Sequence, residues 1–313
     1  MAKKAARTMH VLVTGAGGLC GRHAMAGLLA AGHRVTAVVG RSAAGPAWSS
    51  MPESGMLDLL HGDLAGDLGL PRSFDAVVHT AARLPDPGVS TATLTHDNVL
   101  ATRRLLAAAK TAGARRFVYF SSLSVYGRIV SDVVDERTAI DAPEPYGASK
   151  QIGEELVRAC AGCFPSLALR LPGIIGPRST RNWLSRVMEA ACAGKEVMVF
   201  NPDTPFNNAV HVDDLTRFVV RLLGMEWDGA DAVTLGADSM TTVLDAARRV
   251  VDGVGGDSKI VTREAPGAPR FTVSSRRAKA LYGYAPMEIG PMLEQFVAEN
   301  AADVCRDIGK RTS

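Results

Sequence analysis

The sequence predicts an α/β fold, a doubly wound parallel sheet followed by a smaller C-terminal domain. Short apolar, β-branched runs alternate with stretches of helical periodicity over the first 170 residues. A glycine-rich turn separates the first such run from the first helix. The alternation stops after Leu171, where Pro172, Gly173, Gly176 and Pro177 interrupt the chain.

His10–Thr14 reads as the first strand, residues 20–31 as a helix closed by Gly32, and Arg34–Val39 as the second strand. Ala76–His79 and Phe117–Phe120 are the next two strands, with helical stretches at 98–111 and 146–161. Parallel strands need crossover helices, and those helices cover both faces of the sheet. Residues 167–171 read as a further strand. Beyond it come a helix at 182–193, a Pro- and Asn-rich segment at 201–208, a helix at 213–223, and a strand at 232–235 that returns to the main sheet. The rest, through Val297, reads as short elements without alternation. The expected division is a nucleotide-binding domain of residues 1–171 with a returning segment at about 209–236, and a substrate-binding domain of 172–208 and 237–313. The smaller domain is expected on the C-terminal edge of the sheet, where open α/β folds bind ligands. The first eight residues and 310–313 are expected to fray.

At 313 residues and 47% hydrophobic, the chain can bury a large core. Its 35 basic and 32 acidic residues leave a net charge of +3, too balanced to mark a nucleic-acid or anionic-membrane surface. A small-molecule partner is therefore expected. Lys3, Lys4 and Arg7 precede an apolar stretch, but Gly15, Gly17, Gly18, Arg22 and His23 break it before it becomes a secretory h-region. No window offers the roughly 18 apolar residues of a membrane span, so a cytoplasmic protein is expected. Cys20, Cys160, Cys163, Cys192 and Cys305 form no paired framework, which fits a reducing compartment. Cys160 and Cys163 make a C-x-x-C without a second pair at zinc spacing, so no metal is expected.

The segment Thr14-Gly15-Ala16-Gly17-Gly18-Leu19-Cys20-Gly21 lies between strand and helix. Glycines there let backbone N–H groups and the helix N-terminus face a pyrophosphate without an intervening β-carbon. The sheet is thus of the Rossmann type, with Gly15, Gly18, Leu19, Cys20 and Gly21 as candidate cofactor contacts. An NAD enzyme of this architecture usually ends its second strand with a carboxylate for the ribose hydroxyls. Val39, Gly40, Arg41 and Ser42 stand there instead, and a guanidinium at Arg41 suits a 2′-phosphate, so the sequence leans to NADP over NAD.

Tyr146 and Lys150 stand four apart at a helix start and share a face, while Ser122 follows the fourth strand. A hydroxyl to orient a carbonyl, a phenol to move its proton and a cation to acidify the phenol form a working set for hydride chemistry. Bringing a tyrosine from about 10 to about 7 takes ~4 kcal/mol, which a charge at ~4 Å supplies at an effective dielectric of about 20.

With these motifs in place, the sequence resembles the extended short-chain dehydrogenase/reductase family, also labelled NAD-dependent epimerase/dehydratase. The matching runs are the glycine turn, His61-Gly62-Asp63-Leu64, Val78-His79-Thr80-Ala81-Ala82, Asn98-Val99, Ser121-Ser122-Leu123-Ser124-Val125-Tyr126-Gly127, Tyr146-Gly147-Ala148-Ser149-Lys150, Gly176-Pro177-Arg178 and His211-Val212-Asp213-Asp214-Leu215. The resemblance implies that Asp63 and Leu64 border the adenine, that Thr80, Ala81 and Ala82 line the nicotinamide half, and that Pro172 and Ile175 also contact the cofactor. It makes Ser122, Tyr146 and Lys150 the catalytic group, with Lys150 holding the nicotinamide ribose and Ser124 close to substrate. His211, Asp213 and Asp214 pack as a helix start in such proteins, and His79 at a strand end is likewise expected to be structural. It also implies a homodimer through the helices at 98–111 and 146–161, whose many alanines permit close packing.

The departures narrow the chemistry. The family's 4,6-dehydratases carry Asp-Glu after the catalytic hydroxyl residue, and this chain has Leu123-Ser124, which disfavours dehydration. Nucleotide-sugar members often place an asparagine and an arginine where this chain has Gly173 and Asn207, so two side chains that usually hold a diphosphate are missing. Arg83 remains a candidate for an anionic substrate, beside Arg128, Arg178 and Arg181. The expected function is hydride transfer between a nicotinamide cofactor and a secondary alcohol or ketone of a small polar or sugar-like substrate, as a dehydrogenase/reductase or an epimerase. A nucleotide-sugar epimerase is the alternative. A protein that only senses nicotinamide typically loses the tyrosine or lysine, and this chain keeps both.

Overall fold

A computed structural model describes residues 7–40 and 55–312. In chain order its elements are β1 (His10–Thr14), α1 (Leu19–Ala30), β2 (Arg34–Val39), β3 (Leu57–His61), β4 (Ala76–His79), α2 (Thr91–Leu94), α3 (Ala101–Thr111), β5 (Phe117–Phe120), β6 (Val133–Val134) and α4 (Pro145–Ala159). There follow β7 (Ser166–Arg170), β8 (Gly173–Ile175), α5 (Trp183–Cys192), β9 (Val197–Phe200), β10 (Pro205–Phe206), β11 (Ala209–His211) and α6 (Val212–Leu223). The chain closes with β12 (Ala230–Thr234), β13 (Thr241–Thr242), α7 (Val243–Val254), β14 (Ile260–Arg263), β15 (Thr272–Val273), α8 (Arg276–Tyr282) and α9 (Ile289–Thr312).

Two compact units result. The first comprises residues 7–127, 142–170 and 215–233 among those described, and the second 128–141, 171–214 and 234–312. The first is built on a seven-stranded sheet of order β12-β7-β5-β4-β1-β2-β3. Pairings of β1 with β2 and β4, of β2 with β3, of β4 with β5 and of β5 with β7 are all parallel. Every residue of β4, β5 and β7 is buried, as strands covered on both faces must be. The edge strand β3 escapes a sequence reading because Leu57-Asp58-Leu59-Leu60-His61 is half-solvated and needs no unbroken apolar run. The helical stretch expected from 98 begins earlier, at Thr91, and passes through a π-helical turn at Thr95–Leu100 that holds Asn98.

The second unit centres on α5, α7 and α9, whose buried faces share one apolar cluster with Ile175, Val197 and Val199. Two expectations fail here. The C-terminal region is not made only of short elements, since α9 runs for 24 residues and carries residues 310–312 in helix rather than frayed. Its apolar spacing, Ile289, Met292, Leu293, Phe296, Val297, is the ordinary helical period and is legible in the sequence. Nor are all five cysteines unpaired: packing of α5 on α9 brings Cys192 and Cys305, 113 residues apart, to a Cα separation of 4.8 Å, and they form a disulfide. Cys20, Cys160 and Cys163 are free. At the other end, Arg7 is not frayed but pairs with Asp75 at 3.5 Å. Among the described residues no helix is long and apolar enough to cross a membrane.

Candidate active site

In the first unit the sheet order reverses between β1 and β4, and ligands of open α/β sheets bind beyond the strand ends at such a point. The glycine turn follows β1, and Thr80-Ala81-Ala82 follows β4. Gly15 has φ +69°, and a β-carbon there would lie 2.6 Å from the Ala81 nitrogen. A β-carbon on Gly21 would overlap the Gly15 carbonyl, so α1 packs down on the turn. The α1 N-cap, Gly18, carries no side-chain cap, and the first turn holds no acid. Bare N–H groups at a helix N-terminus beside a cradle that only glycine permits fit a dinucleotide pyrophosphate. Leu19 and Cys20 begin that helix, and burial pushes the Cys20 thiol up to about 12, so it stays neutral. Leu64 packs on the core, and Asp63 accepts the Ala65 N–H at 2.9 Å in a tight turn. Arg41 lies outside the described residues.

Ser122, Tyr146 and Lys150 come together in this unit. Ser122 caps the 3-10 turn Leu123–Tyr126, accepting the Ser124 N–H at 3.1 Å and donating to Ser124 Oγ at 3.1 Å. Ser122 neighbours the Tyr146 phenol. Pro145 at the first position of α4 sets the helix start that aims Tyr146. Lys150, 2% exposed, stands one turn further on, its Nζ 4.2 Å from the Tyr119 ring centroid. Burial pushes Tyr146 up to about 12 and pulls Lys150 down to about 7. In both groups the largest cause is desolvation by burial.

His79 is structural, as expected. Thr102 Oγ1 donates to the Asn98 carbonyl, so it accepts from His79 Nε2 at 2.9 Å, and Nδ1 accepts from Thr14 Oγ1 at 2.7 Å. Burial first, then Lys150, pull this ring down to about 3. Sequence reasoning missed the use of Asn98: its Oδ1 accepts the Arg83 N–H at 2.6 Å and its Nδ2 donates to Ser149 Oγ at 2.9 Å. It thereby ties the loop after Ala82 to α4. The Arg83 guanidinium is held by Asp97 at 2.7 Å, and Ser124 is exposed.

The remaining candidates belong to the second unit. Gly173 and Ile175 line a cavity of about 350 Å3 together with Arg181, Trp183, Arg186 and Phe206. Trp183 and Phe206 meet edge to face at 5.5 Å. Pro172 precedes β8 and is half-buried. Asn207 is committed elsewhere, its carboxamide accepting the Val273 N–H and donating to the Val273 carbonyl, both at 2.8 Å. His211, Asp213 and Glu299 bring ligand atoms within 4.8 Å of one another, but the Gln295 amide donates to both Asp213 and Glu299. His211 Nδ1 accepts the Asp213 N–H, which leaves Nε2 to donate to Glu299 at 3.0 Å. An amide already fills the cation's place, and the cluster closes a helix start.

A sheet of this order with a glycine cradle at its switch point, beside a serine, a tyrosine and a buried lysine, defines a nicotinamide-dependent enzyme of the extended short-chain dehydrogenase/reductase type. The NAD dependent epimerase/dehydratase family matches residues 11–236, and the chain belongs to that family. The chain is 28% identical over 298 residues to UDP-glucose 4-epimerase of Mycolicibacterium smegmatis, covering 89% of this chain and 94% of that one. It is also 28% identical to UDP-glucose 4-epimerase 3 of Oryza sativa subsp. japonica, over 95% of this chain and 88% of that one. Among solved structures, MoeE5 in complex with UDP-glucuronic acid and NAD matches with a TM-score of 0.76 and 26% identity, over 97% of this chain and all (100%) of that one.

Proposed function

We propose that this enzyme is an epimerase that inverts a secondary alcohol carbon of a nucleotide sugar through a transient ketone, with NAD as its cofactor. The observation that carries the reading is the Tyr146 phenol set beside Ser122 and one helical turn before the buried Lys150. Tyr146 moves the proton of the reacting hydroxyl, Ser122 orients its oxygen and Lys150 holds a positive charge against the developing phenolate. A nicotinamide supplies the hydride acceptor and, when oxidised, a second positive charge.

The sugar-nucleotide reading draws on the two similar epimerases and on the UDP-sugar named with MoeE5. It draws also on the cavity in the second unit, where an aromatic pair suits a base and Arg181 and Arg186 suit a diphosphate. Those two arginines would do the work of the asparagine and arginine that Gly173 and Asn207 replace. On this reading the cofactor role belongs to the first unit and the substrate role to the second. MoeE5 is named with NAD, which favours NAD, while NADP rests on Arg41 and on the missing carboxylate at the end of β2. A homodimer through α3 and α4 fits the exposed Ile152 and the many alanines of these helices.

Incubating the enzyme with NAD and a panel of UDP- and dTDP-hexoses, and following products by NMR, tests the reading. Appearance of the epimer without net NADH is expected. Stoichiometric NADH instead makes the enzyme a dehydrogenase, and turnover of only nucleotide-free polyols removes the nucleotide sugar.

A further inference from the structure

The Ser122, Tyr146 and Lys150 group does not account for a charged cluster buried beside it in the same unit. The Glu154 and Arg170 side chains are only 9% and 10% exposed. Arg170 donates from Nε and Nη2 to both carboxylate oxygens, at 2.7 to 3.2 Å. Ser121 donates to Glu154 Oε1, and Arg170 Nη1 donates to Tyr126 Oη at 2.9 Å. A buried ion pair is often no more stabilising than apolar residues of the same volume, so stability alone is a weak reason for it.

Its attachments point elsewhere. Ser121 directly precedes Ser122, and Tyr126 ends the turn that Ser122 caps. Glu154 itself lies on α4, four residues after Lys150 and eight after Tyr146, so the three share a helix face. Tyr119 and Ser121 are two apart on one extended segment and therefore face the same way, and they receive Lys150 and Glu154 respectively.

We propose that Glu154 is a positioning residue of the reaction: its carboxylate fixes the Ser121–Ser122 turn against α4 and is the counter-charge that keeps the Lys150 ammonium protonated. This rests on the assignment of Tyr146 and Lys150 as the proton-moving pair. Apart from Arg170, whose guanidinium is paired with Glu154, the other groups around Lys150 are neutral. From β4 it is faced by His79, held unprotonated, and from β5 by Tyr119, whose phenol burial pushes up. Tyr146 on its own helix and Cys20 of α1 beyond it both sit near 12. From β7 comes Arg170, and from the 3-10 turn Tyr126, both tied into the Glu154 cluster. On the helical stretch packed against α4, His96, Arg103, Arg104 and Lys110 are exposed and Asp97 is paired with Arg83. Burial pulls Lys150 down and Glu154 opposes it.

The test measures the Lys150 titration by NMR of the lysine ε-carbons and the alkaline limb of kcat in the holoenzyme. Glu154→Gln should move both to lower pH by about one unit or more, the size of effect a nearby unit charge has at an effective dielectric of about 20. Glu154→Asp keeps the charge and should leave the titration in place while lowering kcat. Because Glu154→Gln strands the Arg170 charge, the double variant Glu154→Gln/Arg170→Met is run beside it to recover the fold. There the Arg170 cation leaves with the carboxylate, so the midpoint should move back toward wild type while kcat stays low, because the Ser121–Ser122 turn has lost its tie to α4. A wild-type midpoint in a folded Glu154→Gln, or a wild-type kcat in the double variant, overturns the inference. Tyr146→Phe separates the two levels: if it still turns over, the acid/base assignment itself has failed, whereas a dead Tyr146→Phe with an unmoved Lys150 midpoint removes only the role of Glu154.

Discussion

Gly147, the residue after Tyr146, approaches the 3-10 turn so closely that a β-carbon on it would overlap the Ser124 carbonyl oxygen. That approach lets the helix bearing the tyrosine reach the turn bearing Ser122. Gly147→Ala should therefore separate the two, lowering kcat by at least about tenfold, a loss of ~1.4 kcal/mol, with little change in cofactor affinity. Cofactor titration and steady-state kinetics on one preparation check this, and an unaffected kcat would show that the turn can yield.

Tyr146→Phe removes the proton donor and leaves the ring. Turnover should be abolished and cofactor affinity nearly unchanged. Retention of more than about a tenth of wild-type kcat, a loss under ~1.4 kcal/mol, contradicts the role given to the phenol.

The cofactor preference turns on Arg41. If its guanidinium meets a 2′-phosphate, NADPH binds about ten- to a hundredfold tighter than NADH, the equivalent of ~1.5–3 kcal/mol. Arg41→Ala would then weaken NADPH alone. If NAD is the cofactor, NADH binds at least as well as NADPH and Arg41→Ala changes neither. Fluorescence titration of both reduced cofactors distinguishes the outcomes.

The bond between Cys192 and Cys305 closes a loop of 113 residues. Disulfides over long loops are typically worth about 2–4 kcal/mol. Dithiothreitol should lower Tm by about 5 °C or more. Cys192→Ser/Cys305→Ser should melt at the reduced wild-type temperature and ignore the reductant. A wild-type Tm indifferent to reductant would mean that the bond is not formed in solution.

His79 gives a pH prediction. Its folded pKa is near 3 against an ordinary 6.5, so between those values the unfolded chain binds more protons. Its contribution is complete above about pH 6.5 and is lost as pH falls through that window, with a slope of at most about 1.4 kcal/mol per pH unit. His79→Gln should flatten the fall in urea stability between about pH 6.5 and 4. An unchanged slope would place the acid sensitivity in other groups.

Much of the fold and site is legible in the sequence because it is local. The strands β1, β2, β4 and β5, the glycine turn and the Tyr146–Lys150 spacing each depend on residues within one or two turns of chain. Strand β3 is not, because an edge position imposes little pattern on Leu57–His61. Helix α9 is legible in its own spacing, although the lack of alternation around it suggests only short elements.

The sequence by itself determined the parallel sheet, the glycine turn and the three candidate side chains, since periodicity, glycine and residue chemistry are properties of short segments. Only the tertiary structure decided what those side chains experience. Burial sets Tyr146 high and Lys150 low, the Glu154–Arg170 pair joins α4 to the ends of β5 and β7, and Cys192 meets Cys305. Each of these follows from desolvation or proximity between residues far apart in the chain, and neither quantity exists until the chain has packed.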